Sequence, residues 1–354
     1  MTMKNNFNLK NLVRKNIAEL SPYSSARQEF TSEGRAMVYL DANENPFGDG
    51  LNRYPDPQQK ELKAALAARK GVQPEQILLG NGSDEVLDLL FRAFCEPGRD
   101  NILSLPPTYG MYKVLARINN IEDREVLLDE NFQPRVPEIL EAVDANTRMI
   151  FLCSPNNPSG NSFSAEKVEA ILKGFSGLVV IDEAYIDFSE KESWLRRLED
   201  YPNLVITQTL SKAYGLAGIR VGIGYASGEI IMLLNKIKPP YNINELSQRA
   251  ALAAVQGNRS LEKQIWQLLE QRTFLEAELK ELSFVEKVHP SDANFILAKV
   301  DDAPRRYKEL LERGIVVRDR SSQTLCENSL RFTVCTPEEN QKLLEALRDI
   351  GNEF

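Results

Sequence analysis

The residues best suited to chemistry lie in a segment from Thr207 to Gly222 that contains Lys212. Its letters are TQTLSKAYGLAGIRVG, so the lysine follows Ser211 directly and precedes Arg220. A lysine amine becomes a nucleophile when its surroundings lower its pKa, and with a carbonyl compound it forms a Schiff base. A solvated loop lysine is the ordinary alternative, but hydroxyl neighbours and a downstream arginine favour covalent chemistry.

Three more segments place polar residues directly after apolar runs. GNGSDE (80–85) lies at the start of a predicted helix, where free backbone amides could bind an anion. An ordinary strand-to-helix turn with a capping residue would have the same sequence pattern. CSPNNPSG (153–160) follows a strand pattern, and strand carboxyl ends are where open α/β sheets bind ligands. VVIDEAY (179–185) has Asp182 at the end of an apolar strand pattern and Tyr185 three residues later. A buried aspartate is costly unless it is paired, with a helix cap as the alternative.

Composition removes several classes of function. The 354 residues carry 43 basic and 51 acidic side chains, a formal charge of −8, so a general attraction for nucleic acid is not expected. The single histidine, His289, excludes sites built from several histidines. It lies in the polar turn VHPSDANF, and we expect a surface or structural role for it.

The chain is expected to be cytoplasmic. Its four cysteines show no CxxC spacing, which favours a reducing compartment. The first sixteen residues lack the apolar stretch of a signal peptide, and no apolar run approaches the ~20 residues of a membrane span.

Apolar runs bounded by Gly, Pro or Asn recur through the first two thirds of the chain. Because they are continuous rather than alternating, they predict strands buried on both faces, as in a mostly parallel sheet covered by helices. Strands are predicted at 77–79, 102–105, 149–153, 178–181, 204–207 and 221–225, and helices at 58–68 and 84–95.

After Pro239 and Pro240 the pattern changes to a smaller α+β unit. It comprises helices at 261–282 and 338–350 and strand-like runs at 294–300, 315–318 and 330–334. We therefore predict an α/β fold in three parts: an N-terminal arm (1–45), a large α/β domain (46–240) and a small α+β domain (241–354).

The order of these segments resembles that of the fold-type-I pyridoxal-phosphate aminotransferases. The resemblance covers nearly the whole chain and rests most on the Ser-Lys segment. Motifs nearer the two ends are similar to those of the histidinol-phosphate aminotransferase family: SPYSSAR (21–27), LDANENPFG (40–48), RYPDP (53–57), PPYNIN (239–244), GIVVRDRS (314–321) and LRFTV (330–334).

This resemblance implies pyridoxal 5′-phosphate as cofactor and a role for each motif residue. Lys212 would hold the cofactor and move the proton, and Asp182 would pair with the pyridine nitrogen. Tyr185 and Asn157 would hydrogen-bond the ring hydroxyl oxygen, and Tyr109 would stack on the ring. The cofactor phosphate would be bound by Ser83, Asp84 (through its amide), Thr209, Ser211 and Arg220, and by Tyr54 from the neighbouring subunit of a homodimer.

The remaining motif residues would contact substrate. Arg318 and Arg331 offer planar forks that match carboxylate and phosphate. Tyr23 would close over the substrate phosphate as part of a lid, and Asn45 and Tyr241 would line the pocket; for both tyrosines plain packing is an equal alternative.

The expected reaction is transfer of the amine of L-histidinol phosphate to 2-oxoglutarate. A phosphothreonine decarboxylase-like lyase and an aromatic amino-acid aminotransferase are alternatives on the same scaffold. A non-catalytic regulator with this fold is a third, but it would need an extra DNA-binding domain, for which the residues before Leu40 are too few.

Overall fold

The computed structural model describes residues 7–21, 38–48 and 50–352, without the side chains of 258–260. Within this part the strands form a seven-stranded and a four-stranded sheet. The strands are β1 (Ile77–Asn81), β2 (Asn101–Ser104), β3 (Glu122–Glu125), β4 (Thr147–Cys153), β5 (Leu178–Asp182), β6 (Leu204–Thr209), β7 (Val221–Tyr225), β8 (Val285–Val288), β9 (Phe295–Val300), β10 (Arg318–Asp319) and β11 (Ser329–Thr333).

Helices cover both faces of the large sheet and one face of the small one. They are α1 (Leu9–Leu12), α2 (Lys15–Ala18), α3 (Lys60–Lys70), α4 (Ser83–Phe94), α5 (Met111–Ile118), α6 (Val136–Glu141), α7 (Ala165–Gly174), α8 (Gly228–Ile237), α9 (Glu245–Gln256), α10 (Asn258–Lys280), α11 (Ala303–Glu312) and α12 (Pro337–Asn352). In the described part of the chain, every helix is too short or too polar to traverse a lipid bilayer.

The large sheet has the strand order β1-β7-β6-β5-β4-β2-β3. Strand β7 is antiparallel to both of its neighbours, and the other pairs are parallel. The first residue of β7, Val221, pairs with Asn81 at the end of β1. The start of β7 therefore lies at the same sheet edge as the carboxyl ends of the other strands, where ligands of such sheets bind.

Continuous apolar strands produce this sheet because each is buried on both faces. Every residue of β4, β5, β6 and β7 is buried except Arg148 in β4. Their alternate side chains enter two separate cores, one on each side of the sheet. The core on the α3 side also includes Ile243, Ala251 and Val255, so α9 packs there although it follows Pro240.

The small sheet is antiparallel throughout, in the order β10-β11-β9-β8, and one of its faces packs on α10, α11 and α12. The predicted fold class is thus confirmed, while the proposed domain boundaries stay a prediction. Of the strand-like run 315–318, only Arg318 belongs to a strand. Strands β3 and β8 escaped prediction because they carry charged, largely exposed residues and no apolar run.

Candidate active site

A cavity lies at the carboxyl edge of the large sheet, where β1, β4, β5 and β6 end and β7 begins. Ten of the eleven residues expected to bind the cofactor line it, together with Cys153, Ala184 and Ala217. The ten are Ser83, Asp84, Tyr109, Asn157, Asp182, Tyr185, Thr209, Ser211, Lys212 and Arg220. Residues spread over nearly 140 positions of sequence meet here because parallel strands deliver their carboxyl ends to one edge.

The turn between β1 and α4 forms one wall of the cavity, and two glycines shape it. Gly82 has φ +81°, and a Cβ there would lie 2.6 Å from Nη2 of Arg220. Gly222 packs so closely that its Cβ would lie 2.0 Å from the backbone nitrogen of Ser83. The absence of side chains at both positions brings the Arg220 guanidinium and the start of α4 together, which is a suitable arrangement for a phosphate.

Arg220 and the hydroxyls of the Lys212 segment complete this anion site. Arg220 adopts left-handed backbone angles (φ 53°, ψ 56°), unusual for a residue with a side chain. Thr209 Oγ1 accepts a hydrogen bond from the Ser211 amide at 3.1 Å and so fixes the turn that precedes Lys212. Asp84 Oδ2 lies 4.0 Å from Nη2 of Arg220, which orients the guanidinium.

Lys212 reaches into the cavity between these groups and Tyr185. Its Nζ lies 5.6 Å from the centroid of the Tyr185 ring. The residue is exposed at the cavity opening, yet the surrounding protein atoms partly desolvate the amine and lower its pKa. The positive charge of Arg331 lowers this pKa further, while the negative charge of Asp182 opposes the shift. A lowered pKa increases the fraction of neutral, nucleophilic amine at neutral pH.

Asp182 is a buried carboxylate with no cationic partner among the described residues. Its Oδ2 accepts a 2.8 Å hydrogen bond from the Tyr112 hydroxyl and its Oδ1 a 3.1 Å bond from Thr207 Oγ1. Burial raises its pKa, and these hydrogen bonds act in the opposite direction. The Ala184 amide also donates to Oδ1 at 3.2 Å. Because burial disfavours a charge without an opposite charge nearby, the site fits a ligand with a protonated ring nitrogen.

Tyr109 stands over the cavity from the loop before α5. Its hydroxyl donates to Asp84 Oδ1 at 3.1 Å, and its ring meets the ring of Tyr112 edge to face at 5.6 Å. Since the Asp84 carboxylate is occupied by Tyr109 and faces Arg220, its backbone amide is the group that remains available to a phosphate.

Asn157 and Arg331 join the large and small sheets at the cavity. Nη1 of Arg331 donates to Oδ1 of Asn157 at 2.5 Å. Because a guanidinium only donates, this bond fixes the amide orientation and leaves the Asn157 NH₂ group free to donate to a ligand. Arg331 also lies over the Phe295 ring at 5.0 Å, and Phe295 meets the Tyr185 ring edge to face at 5.1 Å.

The remaining residues predicted to contact cofactor or substrate do not line this cavity within the described chain. Tyr54 and Tyr241 stack on each other at 4.4 Å in a second pocket lined by Leu51 and Leu246. Asn45 is exposed, and its side chain accepts from the Phe47 amide. Arg318 is exposed directly across the β10–β11 pair from Arg331, and Tyr23 lies outside the described residues.

His289 directly follows β8 and packs against a residue of the large-sheet core, and it is not among the residues that line the cavity. It is buried, its ring meets the Phe132 ring at 5.1 Å, and its backbone amide donates to Leu297. Burial lowers its pKa to about 4, so it is neutral at physiological pH. The structural role expected for it is therefore the one that its surroundings support.

Sequence reasoning missed the residues that hold Asp182 and its neighbour Glu183. Tyr112 and Thr207 bind Asp182 from α5 and β6, while Glu183 accepts from Gln208 at 2.8 Å and from the amide of Trp194 at 2.7 Å. Thr207 could have been found from the sequence, because a polar residue inside an apolar strand suggests a buried polar contact. Tyr112 could not, because a tyrosine on an amphipathic helix is usually a core residue.

Comparison with known proteins agrees with this geometry. The family model for class I and II aminotransferases matches residues 38–347. The histidinol-phosphate aminotransferase of Flavobacterium johnsoniae is 63% identical over 345 residues, which are 97% of this chain and 99% of that protein. The enzyme of that name from Christiangramia forsetii is 60% identical over 347 residues, 98% and 99% of the two chains.

A solved structure with the same architecture is the histidinol-phosphate aminotransferase of Clostridium acetobutylicum. It is 26% identical, with a TM-score of 0.80, over 86% of this chain and 92% of that one. The chain belongs to the aminotransferase class I and II family. Within that family it is a member of the histidinol-phosphate aminotransferases, and the resemblance inferred from the motifs is confirmed.

Proposed function

We propose that this protein transfers the amino group of L-histidinol phosphate to 2-oxoglutarate with pyridoxal 5′-phosphate as cofactor. The products are imidazole-acetol phosphate and L-glutamate, in the biosynthesis of histidine. The observation that carries the proposal is a single cavity that holds Lys212, an Asp182 without a cationic partner, and an anion-binding turn, in a chain of this family.

Different residues of the cavity would bind different parts of the cofactor. The turn at Ser83 and the side chains of Thr209, Ser211 and Arg220 would bind its phosphate. Asp182 would pair with the ring nitrogen, and Asn157 and Tyr185 would donate to the ring oxygen. When bound, pyridoxal phosphate supplies an electron-withdrawing ring that stabilises negative charge at the substrate carbon.

Lys212 lies where it could move the proton of the substrate carbon, and its pKa is lowered. Its Nζ would take the proton from the substrate carbon and deliver it to the cofactor carbon, so one group would act as base and then as acid. The lowered pKa of Lys212 supports this role, since desolvation increases the fraction of neutral amine that can act as a base.

The substrates would be held by their negative groups. Arg331 lies closest to the cofactor residues through its bond to Asn157, and Arg318 lies beside it on the neighbouring strand. Tyr23 is proposed to close over the substrate phosphate as part of a lid.

The active form is proposed to be a homodimer with shared sites. Tyr54 is half exposed and stacks on Tyr241 in a pocket with largely apolar walls, and Leu40 and Phe47 nearby are 91% and 85% exposed. An apolar surface of this kind is typical of a protein interface. A second copy there would bring Tyr54 to its neighbour's cofactor phosphate, and Asn45 and Tyr241 to the pocket.

A cytoplasmic location is part of the proposal. All four cysteines are free, and Cys95, Cys153 and Cys326 are buried thiols whose pKa is raised by burial. Unpaired thiols are typical of proteins from reducing compartments.

Substrate choice is tested by amine transfer with competing donors. The purified protein with pyridoxal phosphate is given 2-oxoglutarate and, in turn, histidinol phosphate, phenylalanine or phosphothreonine, and glutamate formation is measured. We expect histidinol phosphate to be strongly preferred. Preference for phenylalanine would indicate an aromatic aminotransferase, and carbon dioxide release from phosphothreonine without glutamate formation would indicate a lyase; either result would overturn the proposal.

The role of Lys212 is tested by borohydride reduction. In the wild-type protein, reduction should attach the cofactor permanently to one lysine, visible as a mass increase and located by peptide mapping. Lys212→Ala should show no such increase, and Lys173→Ala, which removes an exposed lysine paired with Glu169, should behave as wild type. Attachment that survives in Lys212→Ala would contradict the assignment.

A further inference from the structure

A hydrogen-bond network outside the cavity reaches the turn between β1 and α4. Glu85, in the first turn of α4, directly follows Ser83 and Asp84 of the cavity wall. Its Oε2 accepts a 2.5 Å hydrogen bond from the Asn81 amide and a 2.7 Å bond from Nδ2 of Asn242. One carboxylate oxygen therefore closes the turn from Asn81 to Glu85 and connects it to Asn242.

Asn242 uses both ends of its side-chain amide. Besides Glu85, its Nδ2 donates to the Leu79 carbonyl at 3.0 Å, and its Oδ1 accepts from Nζ of Lys238 at 3.0 Å. The two hydrogens of the NH₂ group and the oxygen thus all have partners. Since β1 is an edge strand of the large sheet, Asn242 ties this edge to the chain that follows α8.

Lys238 extends the network to the segment that carries Tyr54. Its Nζ also donates to the carbonyls of Pro57 at 3.2 Å and Pro239 at 3.1 Å. The residue is only 6% exposed, and burial lowers its pKa to about 8. At pH 7 it is therefore still protonated, with one N–H donor for each of its three acceptors.

The network ends beside the two tyrosines of the proposed subunit interface. Pro57 lies three residues after Tyr54, and Asn242 directly follows Tyr241. The two tyrosine rings stack at 4.4 Å in the pocket proposed to receive a second copy of the chain. Hydrogen bonds therefore run without a break from the segments behind this pocket to the phosphate-binding turn.

The turn is held from two sides. On the side of β7, the Gly82 amide donates to the Arg220 carbonyl at 2.9 Å. On the side of the free edge of β1, Glu85 and Asn242 hold the Asn81 amide and the Leu79 carbonyl. Backbone amides bind an anion well only when their directions are fixed in advance, so both sides matter for a phosphate.

We infer that Asn242 is a positioning residue that fixes the phosphate-binding turn to the segments behind the proposed interface. It is not among the residues that line the cavity, so it acts through Glu85. The inference rests on the proposed function, because the phosphate in question is that of pyridoxal phosphate. Removal of Asn242 should therefore weaken the binding of the phosphate and leave the binding of the ring unchanged.

A matched pair of ligands tests this inference. Pyridoxal has the ring and the aldehyde of pyridoxal phosphate but a hydroxymethyl group in place of the phosphate ester. Asn242→Ala should raise the Kd of pyridoxal phosphate about tenfold and leave that of pyridoxal as in wild type, measured by fluorescence titration.

Two substitutions of Glu85 give the same test at a position that is only partly buried, in case Asn242→Ala does not fold. Glu85→Ala, which removes the acceptor of both bonds, should reproduce the tenfold rise in the Kd of pyridoxal phosphate. Glu85→Gln keeps an acceptor oxygen and should recover most of the affinity. Equal Kd values for Glu85→Ala and wild type would contradict the inference.

The matched control is Asn203→Ala. Asn203 is also a bridging asparagine, whose Nδ2 donates to backbone carbonyls that do not line the cavity. Its removal should lower the free energy of unfolding but leave the ratio of the two Kd values unchanged. An equal rise of both Kd values in Asn242→Ala would indicate a merely structural residue, and an unchanged Kd for pyridoxal phosphate would indicate no role; either result overturns the inference.

A double substitution separates this role from that of Tyr54. Tyr54→Phe keeps the stacked ring and removes the hydroxyl proposed to reach the neighbouring phosphate. In this background Asn242→Ala should still raise the Kd of pyridoxal phosphate about tenfold. If the rise disappeared, Asn242 would act only by placing Tyr54, and the inference would be wrong.

These titrations need no turnover, so they are independent of the proposed substrate. If the wild-type protein transferred no amine from histidinol phosphate, the proposed function would fail. The comparison of pyridoxal phosphate with pyridoxal would still decide the role of Asn242.

Discussion

At the scale of single residues, the proposed chemistry of the site depends on Asp182. Its carboxylate is buried and accepts hydrogen bonds from two hydroxyls and from the Ala184 amide, and burial still raises its pKa. The Tyr112 hydroxyl is therefore a positioning group for Asp182. The same tyrosine stacks on Phe151 at 4.8 Å, so the hydroxyl has little freedom to turn elsewhere.

Removal of this hydroxyl is expected to weaken cofactor binding. Tyr112→Phe leaves the ring in place but takes one donor from the charged carboxylate, so the pKa of Asp182 should rise further. A less negative Asp182 attracts a protonated ring nitrogen less strongly, and the Kd of pyridoxal phosphate should rise about tenfold. Fluorescence titration gives the Kd, and difference infrared spectroscopy of the cofactor-free protein gives the ionisation of the carboxyl group.

Tyr225→Phe is the matched control for this experiment. Tyr225 is also fully buried, but its hydroxyl has no hydrogen-bond partner in the described structure. It should leave both the Kd and the Asp182 ionisation as in wild type. Equal effects of the two substitutions would show that Tyr112 acts only by packing.

At the scale of elements, the anion site depends on how closely β7 approaches the turn before α4. Strand β7 is antiparallel to β1 and β6, so its start lies beside the end of both. Gly222 makes the approach possible, since no side chain stands between β7 and the Ser83 backbone.

Gly222→Ala is expected to be strongly destabilising. Its Cβ would overlap the backbone of Ser83 and Gly82, which cannot rotate away, so the free energy of unfolding should fall by about 3 kcal/mol. The Kd for pyridoxal phosphate should rise in parallel, because the turn that binds the phosphate is displaced. Urea unfolding and fluorescence titration measure the two effects.

Gly218 provides the comparison on the same segment. A Cβ at Gly218 would meet no atom within 4 Å, and its φ lies outside the left-handed region. Gly218→Ala should change the free energy of unfolding by less than about 1 kcal/mol. If both alanines were tolerated equally, the close approach at Gly222 would not be what shapes the site.

At the scale of the whole molecule, the proposed function would use both sheets and a second copy of the chain. The large sheet carries the proposed cofactor site, the small sheet carries the arginines, and the bond between Asn157 and Arg331 joins them. Tyr54, in contrast, lies in a separate pocket of its own chain, which is consistent with a role in the neighbouring subunit.

Mixed dimers test whether Tyr54 acts on its neighbour. Lys212→Ala and Tyr54→Ala should each be nearly inactive alone. If Tyr54 reaches the neighbouring site, a dimer with one chain of each kind has one complete site. An equal mixture, unfolded and refolded together, should then recover about a quarter of wild-type activity. Activity no higher than the mean of the two variants would place Tyr54 in its own site or in neither.

Much of the fold and of the proposed site could be predicted from the sequence. Apolar runs identified the six strands β1, β2, β4, β5, β6 and β7 because burial on both faces leaves no polar positions in them. Asp182 at the end of β5 was recognisable because a buried carboxylate is costly unless it is paired, whereas the roles of Lys212 and Arg220 were expected from the resemblance of their segment to a known family. Strand β3 was missed because its composition carries no such signal.

The sequence by itself limited the class of chemistry: one histidine excludes metal sites built from several histidines, and the segments that carry Asp182, Lys212 and Arg220 resemble those of a family that transfers amines with a cofactor. Only the tertiary structure decided which residues support them. Tyr112 reaches Asp182 across 70 positions of sequence, and Arg331 reaches Asn157 across 174. Contacts between distant segments depend on how the sheet and helices pack, and residue types alone do not specify that packing.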